Sequence, residues 1–119
     1  MKLAVTSQGG SLQSPLDPRF GRAKYFLLLD TETGAISVVD NSVNLNAPQG
    51  AGIQAAKRVV DLGADALITG HVGPKAFSTL QAGGIRIYTS ASGSVADAIE
   101  QFKAGKLEAA SSADVEGHW

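Results

Sequence analysis

The chain has 119 residues, a mass of 12.2 kDa and 44% hydrophobic residues, which is the size and apolar content of one folded domain. Ten Lys and Arg residues face 11 Asp and Glu residues, and a net charge of −1 gives no general support for binding nucleic acid or a membrane surface. The absence of cysteine excludes disulfides, thiolate catalysis and Cys-ligated zinc or iron–sulfur sites. No apolar run approaches the ~20 residues of a membrane-spanning helix, and we expect a cytoplasmic protein without a signal peptide.

The first half of the chain is predicted to be β-rich and interrupted by a long loop. Lys2–Thr6 alternates apolar and polar residues as a strand does, whereas residues 7–23 show no periodicity. A loop of that length in so small a domain is usually functional or mobile. Lys24–Asp30 is a continuous apolar run, typical of a strand buried on both faces. A turn with Gly34 at positive φ joins it to a strand over Ala35–Asp40, which predicts an antiparallel hairpin.

The second half alternates helices with short strands after a second loop over residues 40–52. The order β-β-β-α-β-α-β-α predicts an α/β fold with a mixed five-stranded sheet and helices on both faces, an order that resembles the ribonuclease H-like motif. We expect one domain over residues 1–105 and a flexible C-terminal tail over residues 106–119. The predicted elements of this half are helices at Ile53–Leu62, from Pro74 to Gly83 and from Ser94 to Gly105, and strands at Ala66–Thr69 and Ile85–Thr89.

The predicted topology brings several loops to one end of the sheet, where open α/β sheets bind ligands. With the first, fourth and fifth strands parallel, both long loops and three helix N-termini converge there on one crevice. Helix N-termini favour anions, and the glycines of Gly50–Gly52 allow close approach of a ligand. Arg19, Arg22 and Lys24 around Phe20 add a cationic cluster, so the crevice is interpreted as an anion site. The alternative, in which the glycines only shape turns and the arginines are solvated, stays open on these residues alone.

His71 is the one soft-metal donor predicted inside this crevice, and it has either a structural role or a ligand role. One histidine does not make a metal site by itself, but it can bind one corner of a ligand that brings its own metals. Ribonuclease H-like nucleases hold metal ions with an acid on the first strand, and Leu3–Thr6 has none. We therefore predict no catalytic constellation. The aspartates of loops and strand ends are scattered and give no two-metal cluster: Asp17, Asp30, Asp40 and Asp65.

Three segments, in the same order, resemble a known family. Asp17–Phe26 (DPRFGRAKYF) resembles the FGRA-x-x-F segment of the dinitrogenase iron–molybdenum cofactor family, the group of NifX, NafY and the NifB C-terminal domain. Gly50–Gly52 before a helix resembles the second signature of that family. Asp65–Phe77 (DALITGHVGPKAF) resembles the third, so the resemblance covers roughly residues 1–107.

The resemblance implies a ribonuclease H-like fold that binds or carries a metal–sulfur cluster and does not catalyse. A Cys-free chain of this size is similar to the subgroup that holds an anionic molybdenum–copper sulfide cluster non-covalently, and the other implied cargo is an Fe–S–Mo precursor of the iron–molybdenum cofactor. Cluster donor and acceptor proteins are the implied partners. Our hypothesis is that the arginines recruit the cluster, the glycines cradle it and His71 orients or ligates it. The residues implied are Arg19, Phe20, Gly21, Arg22, Gly50, Ala51, Gly52, His71, Val72 and Gly73, with His71 as metal ligand.

Two other functions stay open on the sequence. One is a protein-interaction or regulatory module, which an apolar patch on the edge strand of the hairpin would favour. The other is an enzyme that acts on a small phosphorylated substrate, because an anion crevice alone does not separate such an enzyme from a cluster carrier.

Overall fold

A computed structural model of the protein describes residues 1–42 and 50–111. The elements follow one another in the predicted order, and α1 begins two residues earlier than its apolar periodicity indicates. The strands are β1 (Lys2–Ser7), β2 (Tyr25–Asp30), β3 (Ile36–Asp40), β4 (Ala66–Ile68) and β5 (Arg86–Tyr88), and the helices are α1 (Ala51–Asp61), α2 (Pro74–Ala82) and α3 (Val95–Lys103).

The five strands form one mixed sheet in the order β3-β2-β1-β4-β5. β1 pairs antiparallel with β2 and parallel with β4, and β5 continues the parallel part. β2 and β3 form the predicted antiparallel hairpin, and Gly34 in its turn has a φ of 77°. The mixed α/β sheet predicted from the sequence is confirmed, and the parallel strands β1, β4 and β5 end together at what we call the carboxyl end of the sheet.

Two cores lie on opposite faces of the sheet, because alternate residues of each strand point to opposite sides. α1 and α2 cover one face, where Ala4 and Leu67 pack, and α3 covers the other, where Leu3 and Ile68 pack. The prediction of helices on both faces is confirmed. This arrangement also means that the first turns of α1 and α2 share one side of the molecule while that of α3 is on the other.

The hairpin forms one exposed margin of the sheet. Phe26 and Leu27 of β2 are buried, but the next two leucines of β2 are only half-buried, so the prediction of a strand buried on both faces is wrong for its second half. The physical reason is that the helices pack mainly against β1, β4 and β5, which leaves the faces of the hairpin and of its edge strand β3 less covered. Its Ile36 and Val38 are 42% and 49% exposed.

The long first loop is structured, which its lack of periodicity did not indicate. Ser7 and Leu16 form an antiparallel bridge, and the Gln8 N–H donates to the Pro15 carbonyl at 2.9 Å, so residues 7–16 fold back on themselves. The loop then returns to β1, where the Asp17 N–H donates to the Thr6 carbonyl at 3.0 Å.

The start of the predicted tail packs against the domain. The Ala110 N–H donates to the Ile87 carbonyl at 2.7 Å, and Leu107 packs against the core on the α3 side. Residues 112–119 lie outside the described residues, so the flexibility of the tail stays a prediction there. Among the helices that the structure describes, none is long and apolar enough to cross a membrane.

Candidate functional site

The segment that carries the two arginines is docked on the loop that follows β4. The His71 N–H donates to the Pro18 carbonyl at 2.7 Å, and the His71 carbonyl accepts the Phe20 N–H at 3.2 Å. Arg19 and His71 therefore pair as an isolated parallel bridge. This pairing brings two sequence-predicted segments, about fifty residues apart in the chain, to the carboxyl end of the sheet, as the topology predicts.

Gly70 permits this docking because it has no side chain. A Cβ atom at Gly70 would lie 2.6 Å from both the Cα and the carbonyl oxygen of Pro18, which is too close for any residue with a Cβ. The Gly70–His71 turn is thus shaped for backbone-to-backbone contact with the first loop.

An open groove of about 480 Å³ runs beside the docked segment. It contains three cationic side chains and one carboxylate, and the Arg19 side chain is 50% exposed. The sequence-predicted cationic cluster is thus brought together at one surface, although the molecule as a whole has a net charge of −1. The lining residues are Gln8, Asp17, Pro18, Arg19, Arg22 and Lys24.

Asp17 is a member of this groove that the sequence analysis set aside as a scattered carboxylate. Its Oδ1 accepts the Arg19 N–H at 3.0 Å and lies 3.8 Å from Arg19 Nε. Desolvation by burial raises the pKa of Asp17, while the Arg19 N–H, the Arg19 charge and the Lys24 N–H act in the opposite direction. The Asp-Pro-Arg sequence could have indicated this position, because Asp readily accepts the N–H of the second residue after it.

Phe20 and Val72 have a structural role in this arrangement. Both side chains are fully buried, and the Phe20 ring lies 5.7 Å from the ring of Phe26 in the core beneath α1 and α2. Phe20 is named above among the implied cofactor-binding residues, but its ring lies in the domain core and does not line the groove. Burial of its large ring in the domain core anchors the cationic segment instead.

The helix N-termini are not equivalent. α1 begins after Gly50, which has a φ of 77°, and α2 begins after Gly73, and neither of these N-cap glycines has a side chain that can cap its helix. In α3, Ser94 and Asp97 form a capping box, and the Val95 and Ala96 N–H groups donate to the Ser14 and Leu12 carbonyls. The prediction that three helix N-termini serve one crevice is wrong for α3, because the first loop occupies its free N–H groups.

The predicted site residues at the start of α1 lie at the same end of the sheet as the groove but do not line it. Because α1 runs into the start of β4 and α2 follows the end of β4, both helices begin at the carboxyl end of the sheet. Gly50, Ala51 and Gly52 are therefore at the correct end, but they are outside the groove that contains Arg19 and Arg22. Residues 43–49 of the second predicted loop lie outside the described residues.

His71 is half-buried at the docked turn. In residues 1–42 and 50–111, no group of three or more His, Cys, Asp or Glu residues is placed to hold a metal ion. Within the described part of the chain, a metal at His71 would take its other ligands from the bound group.

Comparison with known proteins gives concordant matches over nearly the whole chain. A model of the family described as dinitrogenase iron-molybdenum cofactor matches residues 1–105. An uncharacterised protein of Methanocaldococcus jannaschii is 33% identical over 96 residues, which cover 78% of this chain and 80% of the relative. The apo form of the orange protein from Desulfovibrio gigas is 41% identical, with a TM-score of 0.93 and 96% of each chain covered. A NifB-like protein from Thermotoga is 37% identical, with a TM-score of 0.85 and 98% of each chain covered.

Proposed function

This chain belongs to the dinitrogenase iron–molybdenum cofactor family, and from that premise we propose that it binds and carries an anionic, molybdenum-containing metal–sulfur cluster without catalysing a reaction. The cargo is a Mo–Cu sulfide cluster or an Fe–S–Mo precursor of the iron–molybdenum cofactor. The 41% identity to the orange protein supports the first of these, together with the absence of cysteine. The proposal includes a cytoplasmic location, with cluster donor and acceptor proteins as partners.

The observation that carries the proposal is the cationic groove at the carboxyl end of the sheet. Arg19, Arg22 and Lys24 concentrate positive charge on a protein whose net charge is −1. A thiometallate is a large, soft anion, so it is held by several charge-assisted contacts and not by one small ligand cage. The groove suits an anion that arrives as a preformed unit.

Other residues contribute according to where the fold places them. His71 lies beside the groove, and its imidazole can ligate copper or iron that the cluster itself supplies. Gly50–Gly52 and Gly73 lie at the starts of two helices at the same end of the sheet, and the N–H groups there favour negative charge. In this proposal the arginines recruit the cluster, and His71 orients it.

Anaerobic titration of the full chain with tetrathiomolybdate and copper tests the proposal. We expect charge-transfer absorption that depends on the protein, with stoichiometric molybdenum, copper and sulfide after desalting. Arg19→Ala combined with Arg22→Ala removes two of the three groove cations, and uptake should fall at least tenfold.

The matched control is Arg86→Ala combined with Lys103→Ala, which removes the same charge at the opposite end of the sheet. This control should bind as the unmodified chain does. Equal uptake by the two double variants would contradict the assignment of the groove. A metal-free chain after titration with tetrathiomolybdate and copper, and again with an Fe–S–Mo precursor, would contradict cluster binding itself.

One observation favours the second candidate, an interaction or regulatory module. Ile36 and Val38 are the large hydrophobic residues exposed in the described part of the chain, and both lie on the edge strand β3. Such a module would form a stable complex with another protein in the absence of metal, and Val38→Lys would disrupt that complex. For a cluster carrier, Val38→Lys should leave cluster uptake unchanged.

A further inference from the structure

Asp17 is the one ionisable residue that is buried among residues 1–42 and 50–111. Its side chain is 7% exposed, yet it lines a groove whose other charged groups are three cations. A buried carboxylate is costly unless it is paired and hydrogen-bonded. A carboxylate inside an anion site is also unfavourable for the ligand, so its presence calls for a physical explanation.

Asp17 holds the cationic segment of the groove in position. The Asp17 carboxylate accepts the Arg19 N–H at 3.0 Å, and the backbone N–H of Lys24 lies close enough to lower its pKa. Its own backbone is fixed to β1, since the Thr6 hydroxyl donates to the Asp17 carbonyl at 2.7 Å and the Thr6 carbonyl accepts the Asp17 N–H at 3.0 Å. Asp17 thus ties the start of the segment that carries the groove cations to the sheet.

Asp17 also adds a negative charge to the groove. An asparagine at this position would also offer an Oδ1 acceptor to the Arg19 N–H, with a smaller desolvation cost. What aspartate adds is a negative charge 3.8 Å from Arg19 Nε. The formal charges that line the groove then sum to plus two, because three cationic side chains are offset by the one carboxylate of Asp17.

We infer that Asp17 is a specificity-determining residue of this anion site, which positions the cationic segment and, through its charge, limits the charge of the anion that the groove accepts. The inference rests on the proposed function. Coulomb repulsion grows in proportion to the charge of the ligand, so a fixed carboxylate disfavours a trianion more than a dianion and a dianion more than a monoanion. His71 on the facing turn and Asp40, whose charge interacts with that of Lys24, are further ionisable side chains at this end of the sheet, so the comparison is made at one pH.

Three tetrahedral thiometallates of similar size separate charge from shape: tetrathioperrhenate, tetrathiomolybdate and tetrathiovanadate carry one, two and three negative charges. The full chain is titrated with each by calorimetry at low ionic strength. Asp17→Asn should tighten binding by about twofold per ligand charge, hence about two-, four- and eightfold, as expected for charges roughly 10 Å apart in a water-like dielectric.

Asp30→Asn is the matched control. Asp30 also accepts two backbone N–H groups, from Glu32 and Thr33, but it pairs with Lys2 at the opposite end of the sheet. The control changes the net charge equally and should leave all three affinities within twofold of the unmodified chain. Asp17→Ser, with a neutral oxygen acceptor, replaces Asp17→Asn if the amide does not fit.

The outcomes separate the two ideas. Gains that rise with ligand charge in Asp17→Asn and not in Asp30→Asn support the inference. Equal gains for the three anions, or none, would restrict Asp17 to a structural role and overturn it while the groove assignment stands. If the unmodified chain binds none of the three thiometallates, the inference about Asp17 is overturned, whereas the proposed function is decided by the titrations with copper and with the Fe–S–Mo precursor.

Discussion

At the scale of single residues, two aspartates in similar hydrogen-bonding positions have opposite electrostatics. Asp17 is buried and desolvation raises its pKa, whereas the exposed Asp30 accepts the Glu32 N–H, which lowers its pKa. Both side chains accept backbone N–H groups in turns. Burial, and not the hydrogen bonds, therefore decides the sign of the difference.

The opposite pKa shifts predict opposite pH dependences of stability. The folded-state pKa of Asp17 lies above its unfolded value, so the folded state binds the proton more tightly and the charged form lowers stability at neutral pH. Asp17→Asn removes that contribution, and its free energy of unfolding relative to the unmodified chain should fall as the pH falls from 7 towards about 4. Asp30→Asn should cost stability at pH 7, with a cost that disappears as the Asp30 carboxylate of the unmodified chain is protonated.

Urea denaturation of the three chains at pH 7 and at about pH 3, which lies below the ordinary aspartate pKa of 3.8, measures these differences. The two variants should change in opposite directions relative to the unmodified chain. Parallel trends would show that the Asp17 carboxylate is not desolvated in the folded protein.

At the scale of elements, the docking of the first loop on β4 decides whether the groove exists. Arg19 is held next to His71 by backbone hydrogen bonds, and the close approach of Pro18 to Gly70 makes those bonds possible. Burial of the Phe20 ring adds an apolar anchor to the same segment. The groove is thus a product of long-range backbone pairing, and the arginines carry its charge.

Gly70→Ala should separate the loop from β4. The added Cβ would lie 2.6 Å from backbone atoms of Pro18, which are not free to move as a flexible side chain is. We expect a loss of about 1–3 kcal/mol of unfolding free energy, the usual cost of an overpacked site, together with faster amide exchange at Phe20 and His71.

Gly10→Ala is the control within the same loop, because a Cβ there would meet only Val38 Cγ1 at 3.8 Å, an ordinary contact. Denaturation and hydrogen exchange compare the two variants. Unchanged protection of the Phe20 and His71 amides in Gly70→Ala would mean that the loop docks without the close approach to Gly70.

At the scale of the whole molecule, the periodicity of hydrophobic residues was sufficient to predict the layers of the fold but not to predict the site. The alternation of β1 and the helical spacing of Val95, Ala98 and Ile99 depend on neighbours close in sequence, so the elements, the mixed sheet and the helices on both faces were predictable. The docking of Pro18 on Gly70 was not predictable in this way, because it joins backbone atoms that are far apart in the chain and leaves no periodic signal in the sequence.

Contacts between residues far apart in the sequence also explain why individual predictions about the site were wrong. Motif position indicates that Phe20 belongs with the arginines, but whether its ring faces ligand or core depends on how α1 and α2 close over it. The engagement of the α3 N-terminus by the Leu12 and Ser14 carbonyls depends on how the first loop folds back. The raised pKa of Asp17 follows from burial, which the sequence does not show.

The position of the site in the whole molecule predicts that ligand binding stabilises the chain globally. The groove segment is tied to β1 through Asp17 and to the end of β4 through His71, so unfolding of either central strand destroys the site. A ligand that binds only the folded state adds about 2.7 kcal/mol at a hundredfold excess over its Kd. For a domain of this size that corresponds to a rise in Tm of roughly 10 °C.

Thermal unfolding with and without tetrathiomolybdate, at concentrations set from the measured Kd, checks this prediction. The Arg19→Ala, Arg22→Ala chain should show at most about half of the rise, as expected for an affinity at least tenfold lower, whereas the Arg86→Ala, Lys103→Ala control should show the full rise. A Tm that does not move while calorimetry still reports binding would mean that the anion binds the unfolded chain equally well. The groove would then not depend on the folded contacts between the first loop, β1 and the end of β4, because only a site assembled by folding couples its ligand to the stability of the sheet.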